Sequence, residues 1–182
     1  MNRILLILAD GFEEIEALGT ADVLRRLGLP VVLAGLTGTE AVTGAHGMKI
    51  LPDTGLEMVK DEDFAAVILP GGMPGSANLD SSEVITYVLE KASAGNRLIA
   101  AICAAPFVLA KRGLLDGKTF TMYPGFDAEL GGLKYTDSPA ETCGMTVTGK
   151  GPGAVFAFAR QIAAALGLEE ACEKLYQGMF ID

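Results

Sequence analysis

Apolar residues along this chain gather in short dense runs, separated by longer stretches in which they recur every third or fourth position. Dense runs bounded by turn residues read as buried strands, and the wider spacing reads as amphipathic helix. Ile4 to Ala9 is strand-like, and Ile15 to Leu27 is spaced helically up to Gly28, which makes a first β-α unit. Val31 to Leu36 reads as the next strand. Ala41 to Leu51, with glycines at 44 and 47, reads as a hairpin-like excursion before Pro52. Ala65 to Leu69 is strand-like and closes on Pro70, Gly71 and Gly72, after which Ser81 to Ala94 is spaced helically. Arg97 to Ile102 leads into Cys103 and a helix over Ala104 to Lys111, while Thr119 to Met122 and Met145 to Thr148 read as short strands. Gly151-Pro152-Gly153 opens a helix over Ala154 to Leu166, and Gly167 separates it from a last one over Glu169 to Gln177.

Strands alternating with helices predict a mostly parallel sheet covered on both faces, because parallel neighbours need crossovers, nearly always right-handed and usually helical. The expected fold is α/β, a flavodoxin-like three-layer α/β/α sandwich, in one domain spanning residues 1–182. The sequence contains no repeat, low-complexity tract or interdomain linker. In such a sheet the loops after Ala9, Leu69 and Ile102 all leave the carboxyl ends of strands. Residues far apart in sequence can therefore converge there.

Composition narrows the function classes. Half the residues are apolar and a fifth charged, a globular balance. Fourteen Lys and Arg against 23 Asp and Glu give a net charge of −9, which removes any general attraction to phosphate backbones and makes nucleic acid an unexpected partner. No apolar stretch approaches the about 18 uninterrupted residues of a membrane span, and the N-terminal run meets acidic residues without a small-residue cleavage site, so a soluble cytoplasmic protein is expected. The three cysteines, Cys103, Cys143 and Cys172, are odd in number and widely spaced, which suggests neither a disulfide framework nor a metal site.

The stretch LIAAICAAP, Leu98 to Pro106, carries the chemistry. It places Cys103 at a strand-to-helix elbow, where ligands bind in open α/β sheets and where helix-start amide dipoles favour a thiolate. Cys103 is the candidate nucleophile; the alternative is a buried cysteine acting as a small hydrophobe. Among Glu13, Glu14 and Glu16, the first two fall at the helix start, where carboxylates complement the dipole, and Glu16 is the one placed to exchange a proton with the thiol. Gly71 and Gly72 can bring backbone N–H groups close to a ligand oxygen, or form a plain turn. Gly151-Pro152-Gly153 precedes no Lys-Ser or Lys-Thr in P-loop spacing, so it reads as a helix start and nucleotide binding is not supported. The single histidine, His46, lies in the hairpin excursion, upstream of Cys103. A Cys-His-carboxylate triad with its base downstream therefore cannot form, which weakens a peptidase or amidase reading.

The segments ADGFEEIE, ILPGGMPGSANL, AAICAAP and TGKGPGAVFAFA, in this order and spacing, resemble the ThiJ/PfpI superfamily, specifically its Parkinsonism-associated deglycase branch, over essentially the whole chain. The resemblance implies a flavodoxin-like, class I glutamine amidotransferase-like fold, commonly a homodimer, with no metal and no cofactor. It matches Cys103 to the reactive elbow cysteine, Glu16 to the carboxyl that contacts its sulfur, and Gly71 and Gly72, with the amide of Ala104, to the donors around the substrate oxygen. It implies a glutathione-independent glyoxalase, converting methylglyoxal to lactate, or a deglycase. A redox-sensing or chaperone-like protein whose Cys103 is oxidised to sulfinate is the alternative from another class. Close members often carry a histidine after the cysteine where this chain has Tyr123, a poor base at neutral pH but a hydrogen-bond donor. His46 matches a position near the dimer contact, often arginine, from which it could approach a site across the interface.

Overall fold

Strand β1 (Ile4–Leu8) is buried along its whole length and is the axis of the fold. The computed structural model describes residues 3–181. In chain order β1 is followed by α1 (Glu14–Arg26), β2 (Val31–Gly35), the hairpin strands β3 (Val42–Thr43) and β4 (Lys49–Ile50), β5 (Thr54–Gly55), α2 (Leu56–Val59) and β6 (Ala66–Leu69). Then come α3 (Gly75–Asp80), α4 (Glu83–Ala94), β7 (Leu98–Ile102), α5 (Pro106–Ala110), β8 (Ala140–Cys143), β9 (Thr146–Gly149), α6 (Val155–Ala165) and α7 (Glu169–Met179).

Seven of these strands form one sheet in the order β5-β2-β1-β6-β7-β9-β8, and β3 and β4 pair separately. All pairings in the large sheet are parallel except that of β8 with β9. Because successive strand side chains point to opposite faces, β1 divides its residues between two cores. Leu5 and Ile7 pack with Leu79, Leu89 and Phe107 of α3, α4 and α5, while Ile4, Leu6 and Leu8 pack with Ala17 and Leu24 of α1 and Phe158 of α6. Helix α7 lies outside α6, with Cys172 and Tyr176 buried against Ala159 and Ala163. The result is the expected flavodoxin-like three-layer sandwich.

The chain leaves β1 towards β2 and returns on the other side of β1 as β6, so the strand order reverses between β1 and β6. Open α/β sheets bind ligands in the crevice at such a switch point. There the ends of β1, β6 and β7 stand side by side.

Several sequence expectations are corrected. Thr119 to Met122 is not a strand: Thr121 makes only an isolated bridge to Thr136, and its amide donates to the Thr148 hydroxyl at 2.9 Å rather than to a ladder. Its apolar residues reflect burial of Phe120 and Met122 in the core beneath α5. The helix after Cys103 begins at Pro106, not Ala104, and has only 5 residues. Strand β8 and helix α3 were not anticipated. The hairpin did form where residues 41–51 suggested it, with β3 antiparallel to β4.

Candidate active site

Cys103 follows the last residue of β7 and adopts a left-handed backbone conformation, φ 64°. Such a conformation costs a non-glycine residue on the order of 1–3 kcal/mol and persists only where its surroundings fix it. They do so through the backbone on both sides. The Cys103 amide donates to the Gly149 carbonyl at 2.9 Å, and its carbonyl accepts from the Tyr123 amide at 2.9 Å. The side chain is thereby turned out of the sheet at the top of β7, with 9 % of the residue exposed.

Glu16 reaches the same point from α1. The N-cap of that helix is Glu13, whose Oε2 accepts from the Glu16 amide at 2.7 Å, so the capping role read for Glu13 is observed. The Glu16 side chain is buried; its Oε2 accepts from the Gly71 amide at 2.8 Å, and the carboxyl hydrogen-bonds the Cys103 thiol. Gly71 is required sterically as well. A Cβ at this position would lie 2.6 Å from both Cys103 Cβ and Glu16 Oε2. Its amide is thus engaged by Glu16, and the amides facing the sulfur are those of Gly72 and Ala104.

Electrostatics in this cluster correct one expectation. Burial pushes Glu16 up to about 7, against the hydrogen bonds from Cys103 and Gly71. Burial, then the charge and hydrogen bond of Glu16, push the Cys103 thiol up to about 12, although the Ala104 and Gly72 amides pull the other way. The elbow amides therefore do not create a resting thiolate, because desolvation beside a carboxylate outweighs them. The pair holds a thiol and, near neutral pH, a carboxyl that readily changes its proton.

Glu14 faces the hairpin instead. Its carboxylate accepts from the His46 amide at 2.7 Å and meets His46 Nδ1 at 2.7 Å, so the two-stranded excursion is clamped to the start of α1. Burial would raise the Glu14 pKa, but the His46 ring and the amides around it outweigh burial and hold it below the usual carboxylate range; the same contact raises His46. Glu13, Glu14 and His46 offer ligand atoms within 4.8 Å of one another, a grouping able to hold a cation. The His46 side chain remains 66 % exposed, and its ring is committed to Glu14 within this chain.

Tyr123 stands beside the elbow with its ring over Gly151, where a Cβ would lie 3.3 Å from the ring. It shares a cavity of about 440 Å³ with Pro124, Pro139 and the segment from Lys150 to Ala154. Lys150 and Asp137, which sequence reading did not single out, pair at 2.5 Å across one side of it. No local pattern marks that pair, since the partners meet only through the antiparallel β8–β9 return.

The chain matches the DJ-1/PfpI family over residues 2–165. It belongs to that family. It is 42 % identical over 179 residues to protein dj-1beta of Drosophila melanogaster, covering 97 % of this chain and 96 % of that one. The crystal structure of that protein superposes with a TM-score of 0.95 over the full length of both chains. A glutathione-independent glyoxalase of Caenorhabditis elegans is 39 % identical over 166 residues, covering 91 % and 88 % of the two chains. A deglycase of Pyrococcus abyssi is 29 % identical over 167 residues, covering 90 % and 99 %. The DJ-1/PfpI fold and the ThiJ/PfpI resemblance read from the four motifs thus agree. Among the described residues no helix is long and apolar enough to cross a membrane.

Proposed function

We propose that this DJ-1/PfpI protein is a cofactor-free thiol enzyme that converts small α-oxoaldehydes to 2-hydroxy acids, methylglyoxal to lactate in the simplest case. The observation that carries this reading is the buried Glu16 carboxyl, hydrogen-bonded to Cys103 and brought by burial to about 7. A general base is most effective when its pKa lies near the working pH. Names borne by relatives, a glyoxalase and a deglycase, point to the same carbonyl chemistry.

In this reading Cys103 attacks as a thiol whose proton passes to the Glu16 carboxylate as the carbon–sulfur bond forms. The aldehyde oxygen takes up a proton to complete a hemithioacetal. Glu16 then removes the hydrogen from the sulfur-bearing carbon, giving an enediol, and a proton returns to the neighbouring carbon. The former aldehyde carbon is oxidised to a thioester while the ketone carbon is reduced to a carbinol, so no external oxidant or reductant is needed. Water cleaves the thioester, releasing the hydroxy acid and the thiol. The Gly72 and Ala104 amides, which face the sulfur, are the donors nearest the developing oxyanion. Gly71 holds the base in place.

The sulfinate-sensing alternative uses the same thiol and the same Glu16 contact, and differs in taking an oxidant instead of an aldehyde at the sulfur. Purified protein and Cys103→Ser test the proposal: wild type should consume methylglyoxal and produce lactate, and the variant should lose at least about 10³-fold in rate. Equal rates would remove the thiol from the mechanism. Selective gain of two oxygens on Cys103 under mild peroxide, without turnover, would favour sensing instead.

A further inference from the structure

A second cavity lies at the end of the sheet away from the elbow. It has a volume of about 240 Å³ and is lined by Arg97, just before β7, by Lys118, and by Cys143 and its neighbours in the β8–β9 turn. Arg97 and Cys103 bracket β7, about 20 Å apart along the strand, so this space is separate from the site around Glu16. Strand register fixes how the Cys143 thiol sits. Cys143 of β8 stands opposite Thr146 of β9, and residues directly opposite in an antiparallel pair share a face, with Cβ atoms about 4.5–5.5 Å apart. Thr146 Oγ1 accepts from Lys118 Nζ at 2.7 Å, so the ammonium is held beside the face that carries the thiol. Thr146 in turn stands level with Ile99 of β7, two residues beyond Arg97.

The cavity reverses the charge of the molecule. The chain carries a net charge of −9, yet no carboxylate lines this space. Among the described residues Arg97 and Lys118 form no ion pair, whereas Arg3, Arg25, Lys91 and Arg112 each meet a carboxylate. Glu141, two residues along β8 on the same face, accepts from the Thr136 hydroxyl at 2.8 Å instead. Two cations left without a carboxylate on one cavity suit an anion: the guanidinium offers a bidentate fork to a carboxylate, and the ammonium a point charge. At about 240 Å³ the space is smaller than the about 300–1,000 Å³ that encloses a whole ligand. It seats the end of a molecule anchored by something else. Cys143, half-buried and free of any disulfide, supplies the anchor.

We propose that this cavity receives a small disulfide bearing carboxylates, of the glutathione disulfide class, and that Cys143 is modified there by thiol–disulfide exchange. The Cys143 sulfur, having released its proton to water, bonds to one sulfur of the disulfide as the bond between the two breaks. One half stays on the protein as a mixed disulfide, its carboxylates against Arg97 and Lys118. The other half leaves as a thiolate and takes up a proton. Cys143 is oxidised, and the incoming disulfide is the oxidant. Charge and burial then sort the thiols of this chain. Cys103 has the Glu16 carboxyl against its sulfur, which when ionised repels an anionic disulfide, and Cys172 is fully buried.

The test follows each cysteine by peptide mass spectrometry under glutathione disulfide, which is anionic, and bis(2-hydroxyethyl) disulfide, which is neutral. At low salt wild type should form the glutathione adduct at Cys143 about tenfold faster than at Cys103 or Cys172. Replacing both cations, Arg97→Gln with Lys118→Gln, should slow the glutathione reaction by about tenfold, each exposed cation contributing about threefold, and leave the neutral reaction within about twofold. Salt gives a second reading that needs no variant and decides the matter if the double substitution does not fold. At about 1 M, where charges are screened beyond about 3 Å, the wild-type rate with glutathione disulfide should fall at least about fivefold while the neutral rate holds. An equal loss with both disulfides means that the substitutions disturb the thiol rather than an anion site, and overturns the proposal. A glutathione rate indifferent to the cations and to salt, or an adduct formed first at Cys103, overturns it as well.

Discussion

At the scale of single residues, the site is a contest between desolvation and proton transfer. Cys103 is pushed up to about 12 by burial first and by Glu16 second, and Glu16 is itself raised to about 7 by burial. Glu16 therefore opposes a standing thiolate and yet is the group that can accept the thiol proton during attack. These two effects have opposite signs in Glu16→Gln. Removing the carboxylate should move the midpoint of iodoacetamide labelling at Cys103 to lower pH, because one of the influences raising the thiol is gone. Turnover should nevertheless fall by about 10²- to 10⁴-fold, the range for losing a positioned proton-transfer group. In wild type kcat/KM should fall about tenfold per pH unit below about 7 as Glu16 becomes protonated, and that limb should vanish in the variant. Full turnover in Glu16→Gln would end the general-base assignment.

At the scale of elements, the site depends on three loops leaving adjacent parallel strands, with glycine where they touch. Gly71→Ala places a methyl group 2.6 Å from Cys103 Cβ and 2.8 Å from the Ile102 carbonyl oxygen. Neither backbone can retreat without disturbing the elbow, so activity should drop sharply and urea unfolding should show a loss of about 1–3 kcal/mol. Unchanged activity with native stability would mean that β6 and β7 are less tightly apposed at their ends. The sequence made these strands legible because β1, β6 and β7 are apolar on both faces, the mark of buried parallel strands. That is why the positions of Cys103 and Glu16 could be anticipated. Strand β8, Ala-Glu-Thr-Cys, is a half-exposed antiparallel edge with no apolar signature, and α3, Gly-Ser-Ala-Asn-Leu-Asp, lacks helical periodicity. Gly75 at the start of α3 packs directly on the Gly11 and Phe12 backbone, a tertiary contact that no local pattern carries. The Glu14–His46 clamp joins residues 32 positions apart and was hidden for the same cause. The thiol's upward shift was hidden too, since it arises from burial created only by folding.

At the scale of the whole molecule, the hairpin is tied to the start of α1 by the His46 and Met48 amides on Glu14, and Ile15 of α1, Met48 and Leu51 of these segments are exposed. We propose this face as the contact of a homodimer, in keeping with the commonly dimeric family the motifs resemble. Met48→Asp should shift sedimentation from dimer towards monomer, whereas a monomeric wild type at micromolar concentration would refute the proposal. Stability carries a separate signature of the buried acid. Glu16 is raised in the folded state from 4.5 to about 7, so folding favours its protonated form. Its contribution is fully present below pH 4.5 and is lost as pH rises to about 7, the direction required of a group whose pKa folding has raised. Each pH unit of displacement corresponds to about 1.4 kcal/mol, which makes the full effect about 3 kcal/mol. Glutamine keeps the shape and an oxygen for the Gly71 amide without the charge. The unfolding free energy of Glu16→Gln minus that of wild type should therefore grow by about 3 kcal/mol between pH 4.5 and 7.5 and level off above. A difference constant across that interval would mean that Glu16 ionises in the folded protein as it does in water, and the base proposed for catalysis would lose the burial that tunes it.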